Sequence, residues 1–320
     1  MSKKITNITL IVILIVLMLV YLAVKQFSGA DRTFREKIAD FNAAKVTELR
    51  IVDPVGKTEV SLYRNKSVWE VELDGKRHMA DSAVVGNILK QLNNLKTKQL
   101  AGSGKEAWIK YQVTDTSAIM VTASAGRKEL ARVYVGKISY SPGKGTTPQQ
   151  QQQQADMATY VRLEGDKNVY TVEGMVRMNF NRKASEYRNK KMVSVSKDDM
   201  TRITFEYPEY KMLLEKQGRH WFLDGQPTDS FKVAKYTAIL SRLSNPNFVD
   251  PVAPGIQPSH VLTLEGTNFG PIRIEAYPAA DPDIQYIMHS SLNPDAYFNG
   301  GKNGLFIKVM VKQPELLPVK

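Results

Sequence analysis

At 320 residues, with 42% hydrophobic and 24% charged positions, the chain is long enough for two ordinary domains, and wholesale disorder is excluded. It contains no cysteine, which excludes disulfides, thiolate metal sites and a lipid-modified cysteine. Forty-four Lys and Arg against 32 Asp and Glu give a net charge of +12, which favours acidic partners without naming one.

The chain opens on an apolar run. From Ile8 to Val24 every residue is apolar except Thr9 and Tyr21. Begun at Ile5, the run spans about 30 Å as a helix, one hydrocarbon thickness. No charge interrupts it, and Lys3, Lys4 and Lys25 bracket it. Residues 1–25 are therefore expected to form a transmembrane anchor that meets the lipid bilayer through residues 5–24. The rival is a cleaved signal peptide with Ser28-Gly29-Ala30 as its cleavage site, although the apolar cores of such peptides run to only about 7–15 residues. Lys25, Arg32, Arg35 and Lys37 after the span outnumber Lys3 and Lys4 before it, which on its own places the C-terminal side inside the cell. Long folded regions translocate despite such flanks, so charge alone leaves the orientation open. Residues 26–45 are expected to form a helical stalk, with Asp31 as N-cap and Phe34, Ile38 and Phe41 as one apolar stripe.

The remainder reads as one unit written twice, over 46–195 and 196–320. Val46 to Ile51 is echoed by Met200 to Phe205 at an offset of 154, with Pro54 and Pro208 following. Val60, Leu62 and Trp69 match Met212, Leu214 and Trp221 at 152, and Asp74-Gly75 matches Asp224-Gly225 at 150. Asp81, Val85, Ile88, Leu92 and Leu95 match Asp229, Val233, Tyr236, Leu240 and Leu243 at 148. Each step is two residues. Strand side chains alternate faces with a period of two, so an even deletion from a hairpin keeps the inward residues inward.

Each copy is expected to hold alternating strands, a tight Asp-Gly turn, and a helix capped by Asp81 or Asp229. Further strands are expected at 118–123, 129–135, 159–163 and 169–172 in the first copy, and at 261–264, 272–277, 284–289 and 305–309 in the second. Lys167-Asn168 echoes Lys302-Asn303, and Tyr170 and Val172 echo Leu305 and Ile307. The fold class is thus α+β: a transmembrane helix, then two tandem, duplicated antiparallel-sheet-plus-helix domains. Ser141 to Ala155 carries six consecutive glutamines and reads as a disordered hairpin loop; Asn245 to Pro258, with four prolines, reads as a stiff connector.

Chemistry is sparse. His78, His220, His260 and His289 lie far apart in sequence and form no metal motif, and Gly143-Lys144-Gly145-Thr146 lacks the spacing of a phosphate loop. Neither catalytic residues, metal ligands nor a cofactor site is expected, and no nucleic-acid reading element appears. Trp69 and Trp221 hold equivalent repeat positions, which argues for packing. Trp108 has no partner in the second copy and is the tryptophan to examine for binding.

The strand pair, Trp69 with the Asp74-Gly75 turn, and the Ala80-Asp81 helix start resemble the domain-of-unknown-function 4340 family. Trp108 to Asp115 is similar to a turn element of that family, with Gln112 where glycine is common and no proline after it. Tyr160 to Leu163 and Val169-Tyr170 resemble its closing strands, and Tyr187 to Lys190 its final turn, so that the likeness covers about residues 44–195 well and the second copy more loosely. The resemblance implies a protein of the bacterial inner membrane with periplasmic C-terminal domains, accompanying gliding-motility-type ABC transporter subunits. The expected function is a non-enzymatic, anchored scaffold or accessory subunit whose partners are integral membrane transporter subunits. The alternative is an envelope glycan- or peptidoglycan-binding module that meets an acidic polymer through exposed aromatics and lysines.

Overall fold

The computed structural model describes residues 12–18, 35–141 and 156–318. Residues 12–18 are helical; the rest of the expected anchor, residues 1–11 and 19–25, lies outside the described residues, as does the Gln-rich segment from 142 to 155. Among the described residues no helix is long and apolar enough to cross a membrane. The chain divides into two compact units, one taking in residues up to Ser67 with Ala83–Glu186, the other Val68–Ser82 with residues from Tyr187 onward.

Two nine-stranded sheets are built in the same order. The strands of the first are β1 (Glu48–Asp53), β2 (Thr58–Asn65), β3 (Val68–Leu73), β4 (Lys76–Met79), β5 (Thr97–Ser103), β6 (Ile119–Ala125), β7 (Lys128–Ser141), β8 (Asp156–Leu163) and β9 (Asn168–Glu173). They lie in the order β4-β3-β2-β1-β6-β7-β8-β9-β5. The second sheet comprises β10 (Met200–Glu206), β11 (Lys211–Gln217), β12 (His220–Leu223), β13 (Gln226–Pro227), β14 (Phe248–Val249), β15 (His260–Gly266), β16 (Ile272–Pro278), β17 (Tyr286–Ser290) and β18 (Tyr297–Asn299). Its order is β13-β12-β11-β10-β15-β16-β17-β18-β14, the same permutation strand for strand. Helices α1 (Ser82–Asn93), α2 (Gly104–Lys110) and α3 (Val176–Phe180) belong to the first copy, α4 (Ser230–Ser241) and α5 (Leu305–Val309) to the second.

Alternation sets the core. Leu49 and Ile51 face Leu62 and Val60 across β1 and β2, and all four are buried; Ile203 and Phe205 face Leu214 and Met212 in the same way. Asp74 and Gly75 both take positive φ (50° and 72°), as do Asp224 and Gly225 (47° and 81°), so each hairpin closes on a two-residue turn whose twist suits the strands. Ala80 donates its N–H to the Trp69 carbonyl (2.7 Å), and Thr228 to the Trp221 carbonyl (3.3 Å). Between those paired positions the second hairpin lacks two residues from each strand. The register is untouched, which is why the offset falls in steps of two.

The helices repeat as well. Val85, Ile88, Leu89 and Leu92 of α1 are buried, as are their counterparts Val233, Tyr236, Thr237 and Leu240 of α4. The Asp229 carboxylate accepts hydrogen bonds from the N–H groups of Phe231 (2.9 Å) and Lys232 (3.0 Å), satisfying two orphan donors of α4. Asp81 precedes α1 directly and places its carboxylate 3.6 Å from Lys191 Nζ. Its N–H donates to the Tyr187 carbonyl (2.8 Å), as that of Asp229 does to Leu316 (3.0 Å).

The stalk is a correction. Residues 31–34 lie outside the described residues, but 35–42 are not helical, and only Ala43–Lys45 makes a 3-10 turn. Ile38 N–H donates to Leu95 O and Thr97 N–H to Glu36 O, both at 2.9 Å. In the second copy Met192 N–H donates to Leu243 O (2.8 Å) and Asn245 N–H to Lys190 O (2.9 Å). Residues 36–38 are therefore the first piece of the repeat, again at an offset of 154. The Phe34-Ile38-Phe41 stripe fits a helix, but the backbone groups of 36–38 find partners outside the segment, and the neighbours Ile38 and Ala39 are buried together.

The end of the second copy is the other correction. Leu305–Val309, expected as a strand, is helix α5, which enters through Gly304 at φ 61°. Leu305 and Val309, four apart, are buried while Ile307 is 68% exposed, a helical period. Its counterpart is α3, with Val176 and Phe180 buried. The counterpart of β9 is β18, and Phe298 stands in the place of Tyr170, the first opposite Met288 of β17 and the second opposite Val161 of β8. The expected strand at 284–289 begins at Tyr286 instead, because Gln285 takes positive φ (57°). Of the connector 245–258, only Phe248–Val249 joins a sheet.

Candidate functional site

The strand faces turned away from the core carry the chemistry. On the first sheet, Met120, Tyr134 and Arg162 stand opposite one another across β6, β7 and β8. Helix α2 lies over them, and Ala107, Val113, Ala118, Tyr134 and Val169 form a small second core with Trp108, Tyr111 and Tyr160 around it. Gly104 takes φ 82° at the start of α2 and donates its N–H to the Lys167 carbonyl (2.9 Å), which pins the helix to the β8–β9 turn. Tyr111 stacks on Tyr160 with centroids 4.2 Å apart.

Arg162 is the centre of this face. Its side chain is 4% exposed, and its guanidinium lies 4.1 Å from the Trp108 ring and 3.7 Å from the Tyr134 ring, a cation held between two aromatics. Nε donates to the Val113 carbonyl (3.1 Å) and Nη2 to Asp115 Oδ1 (3.4 Å). Tyr134 donates its hydroxyl to Glu164 Oε2 (2.5 Å), and Tyr170 to Asp166 Oδ2 (2.9 Å). Burial, reinforced by the bond to Glu164, pushes the Tyr134 phenol up to about 12. A concavity of about 250 Å³ opens between Trp108, Asp115, Arg162, Glu164, Asp166 and Lys167. Its charges are largely satisfied internally, so the arrangement fastens α2 to the sheet more than it presents free groups. Trp108 is half-buried, donates its indole N–H to the Lys167 carbonyl (2.9 Å) and turns one ring face to Arg162.

The second sheet has no counterpart of α2, and its outward face carries a polar row. Glu275 stands opposite His289 and His289 opposite Tyr297, occupying the places of Tyr134, Arg162 and Val169 in the first sheet. The Glu275 carboxylate accepts from Arg273 Nε (2.7 Å) and the Tyr277 hydroxyl (2.7 Å), and lies 3.2 Å from His289 Nδ1. His289 Nε2 lies 3.2 Å from the Pro294 carbonyl, and the imidazole stacks on Tyr297 at 4.8 Å.

The repeat residues stay apart from both faces. Trp69 is buried (6% exposed), and Trp221 is half-buried against the second core. Sequence pattern did not single out Tyr134, Arg162, Glu164 or Glu275, and weighed His289 only as a metal ligand; the available signal was the run of polar and aromatic residues at the outward positions of β7, β8, β16 and β17. His260 packs instead among Tyr207, Tyr286 and Phe306. Among the described residues no three of His, Cys, Asp or Glu come together to hold a metal ion.

Neither a curated protein nor a solved structure matches the chain. One family model does, a domain of unknown function (DUF4340), over residues 69–259. The match begins at Trp69 and runs through the first copy into the second, past β14, rather than ending with the first copy near residue 195. It covers more than half of the 320 residues, and the chain belongs to the DUF4340 family.

Proposed function

We propose that the chain is a non-enzymatic, membrane-tethered protein of the bacterial envelope that serves as scaffold or accessory subunit to an integral membrane complex of ABC-transporter type, with its two repeats on the periplasmic side. One observation carries this reading. The backbone at Glu36 and Ile38, about a dozen residues beyond the apolar run, is hydrogen-bonded into the first repeat, and Ile38 is fully buried. A tether through residues 5–24 would therefore lead into a folded module and hold the two repeats near any partner span. The uncharged length of the run, about one hydrocarbon thickness, supports the tether.

The test is co-purification of the full tagged chain from membranes in a mild detergent. Integral membrane subunits should copurify in fixed proportion, and a yield no higher than that of an unrelated tagged membrane protein overturns the scaffold reading.

A further inference from the structure

A cleft runs along α1 in the first unit, separate from both outward faces. One part, of about 450 Å³, is lined by Asn87, Lys90, Gln91, Asn94, Asn179 and Arg182 over an apolar floor that includes Val84 and Ile88. The other, of about 570 Å³, shares Gln91 and Asn94 and continues past Lys96, Thr97 and Lys98 to Glu173. The shared residues make it one elongated depression. Lys98 is paired with Asp156. Among the described residues the six side chains lining the first part make no hydrogen bond or ion pair, and no carboxylate lines that part. The Thr97 hydroxyl, in the second part, is buried without a partner.

Four primary amides beside unpaired cations specify a ligand. Each carboxamide offers donors and an acceptor, the complement of a peptide unit's C=O and N–H. Lys90, Lys96 and Arg182 call for anionic groups on the same ligand. Among the described residues no aromatic ring lines either part, so none of them offers the stacking surface that sugars use. The second copy repeats the depression at about 300 Å³, with Arg242, Asn245 and Lys308 in the places of Asn94, Thr97 and Asn179. There two of the three are engaged: Asn245 Nδ2 donates to Asn299 O (3.1 Å) and Lys308 Nζ to Asn303 O (2.6 Å), which leaves Arg242. Among the described residues the first-copy cleft keeps more of its donors free.

We propose that the α1 cleft of the first copy is a docking site for an acidic, extended polypeptide segment of a partner protein. This deepens the scaffold reading and rests on it for the partner being a protein. The test titrates the full detergent-solubilised chain with a fluorescent Glu-rich peptide, with a matched Lys-rich peptide and with polygalacturonate as comparisons. The doubly substituted Lys90→Glu, Arg182→Glu chain should bind the acidic peptide about ten-fold more weakly. A chain carrying Arg127→Glu and Lys128→Glu, an equal charge change on an exposed turn, should stay within about two-fold of the parent. Equal losses in both variants mean a generic attraction to the basic chain and overturn the proposal; so does tighter, cleft-dependent binding of polygalacturonate. Should the charge reversal disturb folding, Asn94→Ala with Asn179→Ala decides: peptide binding weakened at unchanged net charge supports the site, and unchanged binding removes it. Co-purifying membrane subunits with no peptide binding sink this proposal alone, whereas peptide binding with no co-purifying subunits sinks the scaffold reading alone.

Discussion

The outward faces of the two sheets make an instructive pair, because the strand order beneath them is identical and the covering is not. Over the first sheet the chain inserts α2, and the offset between the copies drops from 148 (Leu100 to Phe248) to 141 (Val121 to Leu262) across that insertion. Position for position, Tyr134 and Arg162 then give way to Glu275 and His289. Where a helix covers the face, the polar group is a guanidinium in contact with two rings, Trp108 and Tyr134. Where no helix covers the face, a half-buried carboxylate beside Arg273, Tyr277 and His289 suffices. A duplicated sheet tolerates both because its stability lies on the opposite face, with Leu49, Ile51, Ile203 and Phe205.

The sharpest way to break this difference is at Gly136. A Cβ there would lie 2.3 Å from the Tyr111 carbonyl oxygen and 2.7 Å from Val113 Cγ1, whereas the same strand position in the second sheet is Tyr277. Backbone cannot yield as a side-chain tip can. Gly136→Ala should therefore destabilise the first copy by about 3 kcal/mol or more and loosen α2, read as a fall in its melting transition and faster amide exchange over 104–111.

Arg162→Ala should come next, at about 2–3 kcal/mol, since it empties a buried site between two rings and strips the Val113 carbonyl of its donor. His289→Ala at the equivalent place should cost about 1 kcal/mol or less, because Glu275 keeps its bonds from Arg273 and Tyr277 when the imidazole is gone. Equal costs in chemical denaturation would show that α2 is not what makes the first face different.

The Glu275 face should also respond to the acid end of the pH scale, and both faces to the alkaline end, since burial and the bond to Glu275 raise the Tyr277 phenol as burial and Glu164 raise Tyr134. Burial alone would raise the Glu275 carboxyl, but hydrogen bonds from Tyr277, Arg273 and His289 outweigh it and hold the group below its ordinary value. A depressed carboxyl contributes stability that is complete above its unfolded pKa of about 4.3 and is lost as pH falls through the lower folded value. Tyr134, raised to about 12, contributes stability that is complete below the unfolded phenol's value of about 10 and is lost as pH rises toward 12. Glu275→Gln should flatten the acid limb of the stability profile, and Tyr134→Phe should reduce the alkaline limb. Tyr134→Phe leaving the alkaline limb unchanged would contradict the raised phenol, which rests on burial first and the Glu164 bond second.

Much of this architecture was legible in residue order, and the gaps have identifiable causes. The Asp-Gly turns and the α1 and α4 stripes are local patterns, and a shared even offset ties them into one repeat. Leu305 to Val309 was not legible: Leu-Phe-Ile-Lys-Val alternates well enough for a strand, and only its packing through Leu305 and Val309 makes it a helix. Residues 36–38 were hidden by a stripe that fits a helix, since the partners at 95–97 lie some sixty positions away. The Trp108–Arg162–Tyr134 stack draws on α2, β7 and β8 at once, so no spacing in one segment could announce it.

The smallest effect tests the cover itself. Helix α2 ends at Lys110 with Tyr111 as its C-cap, and Gln112 follows at φ 57°, donating its N–H to Ile109 O (3.2 Å) while Val113 N–H donates to Trp108 O (2.9 Å). Those two bonds form the double closure that normally places glycine at the left-handed position, because a Cβ there meets the backbone. Gln112 is exposed, so its side chain offers little packing in return. Gln112→Gly should therefore stabilise the first copy by about 1 kcal/mol, and combined with Gly136→Ala it should recover only part of the loss, since one change relaxes the end of α2 and the other blocks its seat. A stability unchanged or lowered by Gln112→Gly would mean that the longer side chain is held by something beyond the turn, and the cover would then owe less to helix closure than to the Arg162 stack.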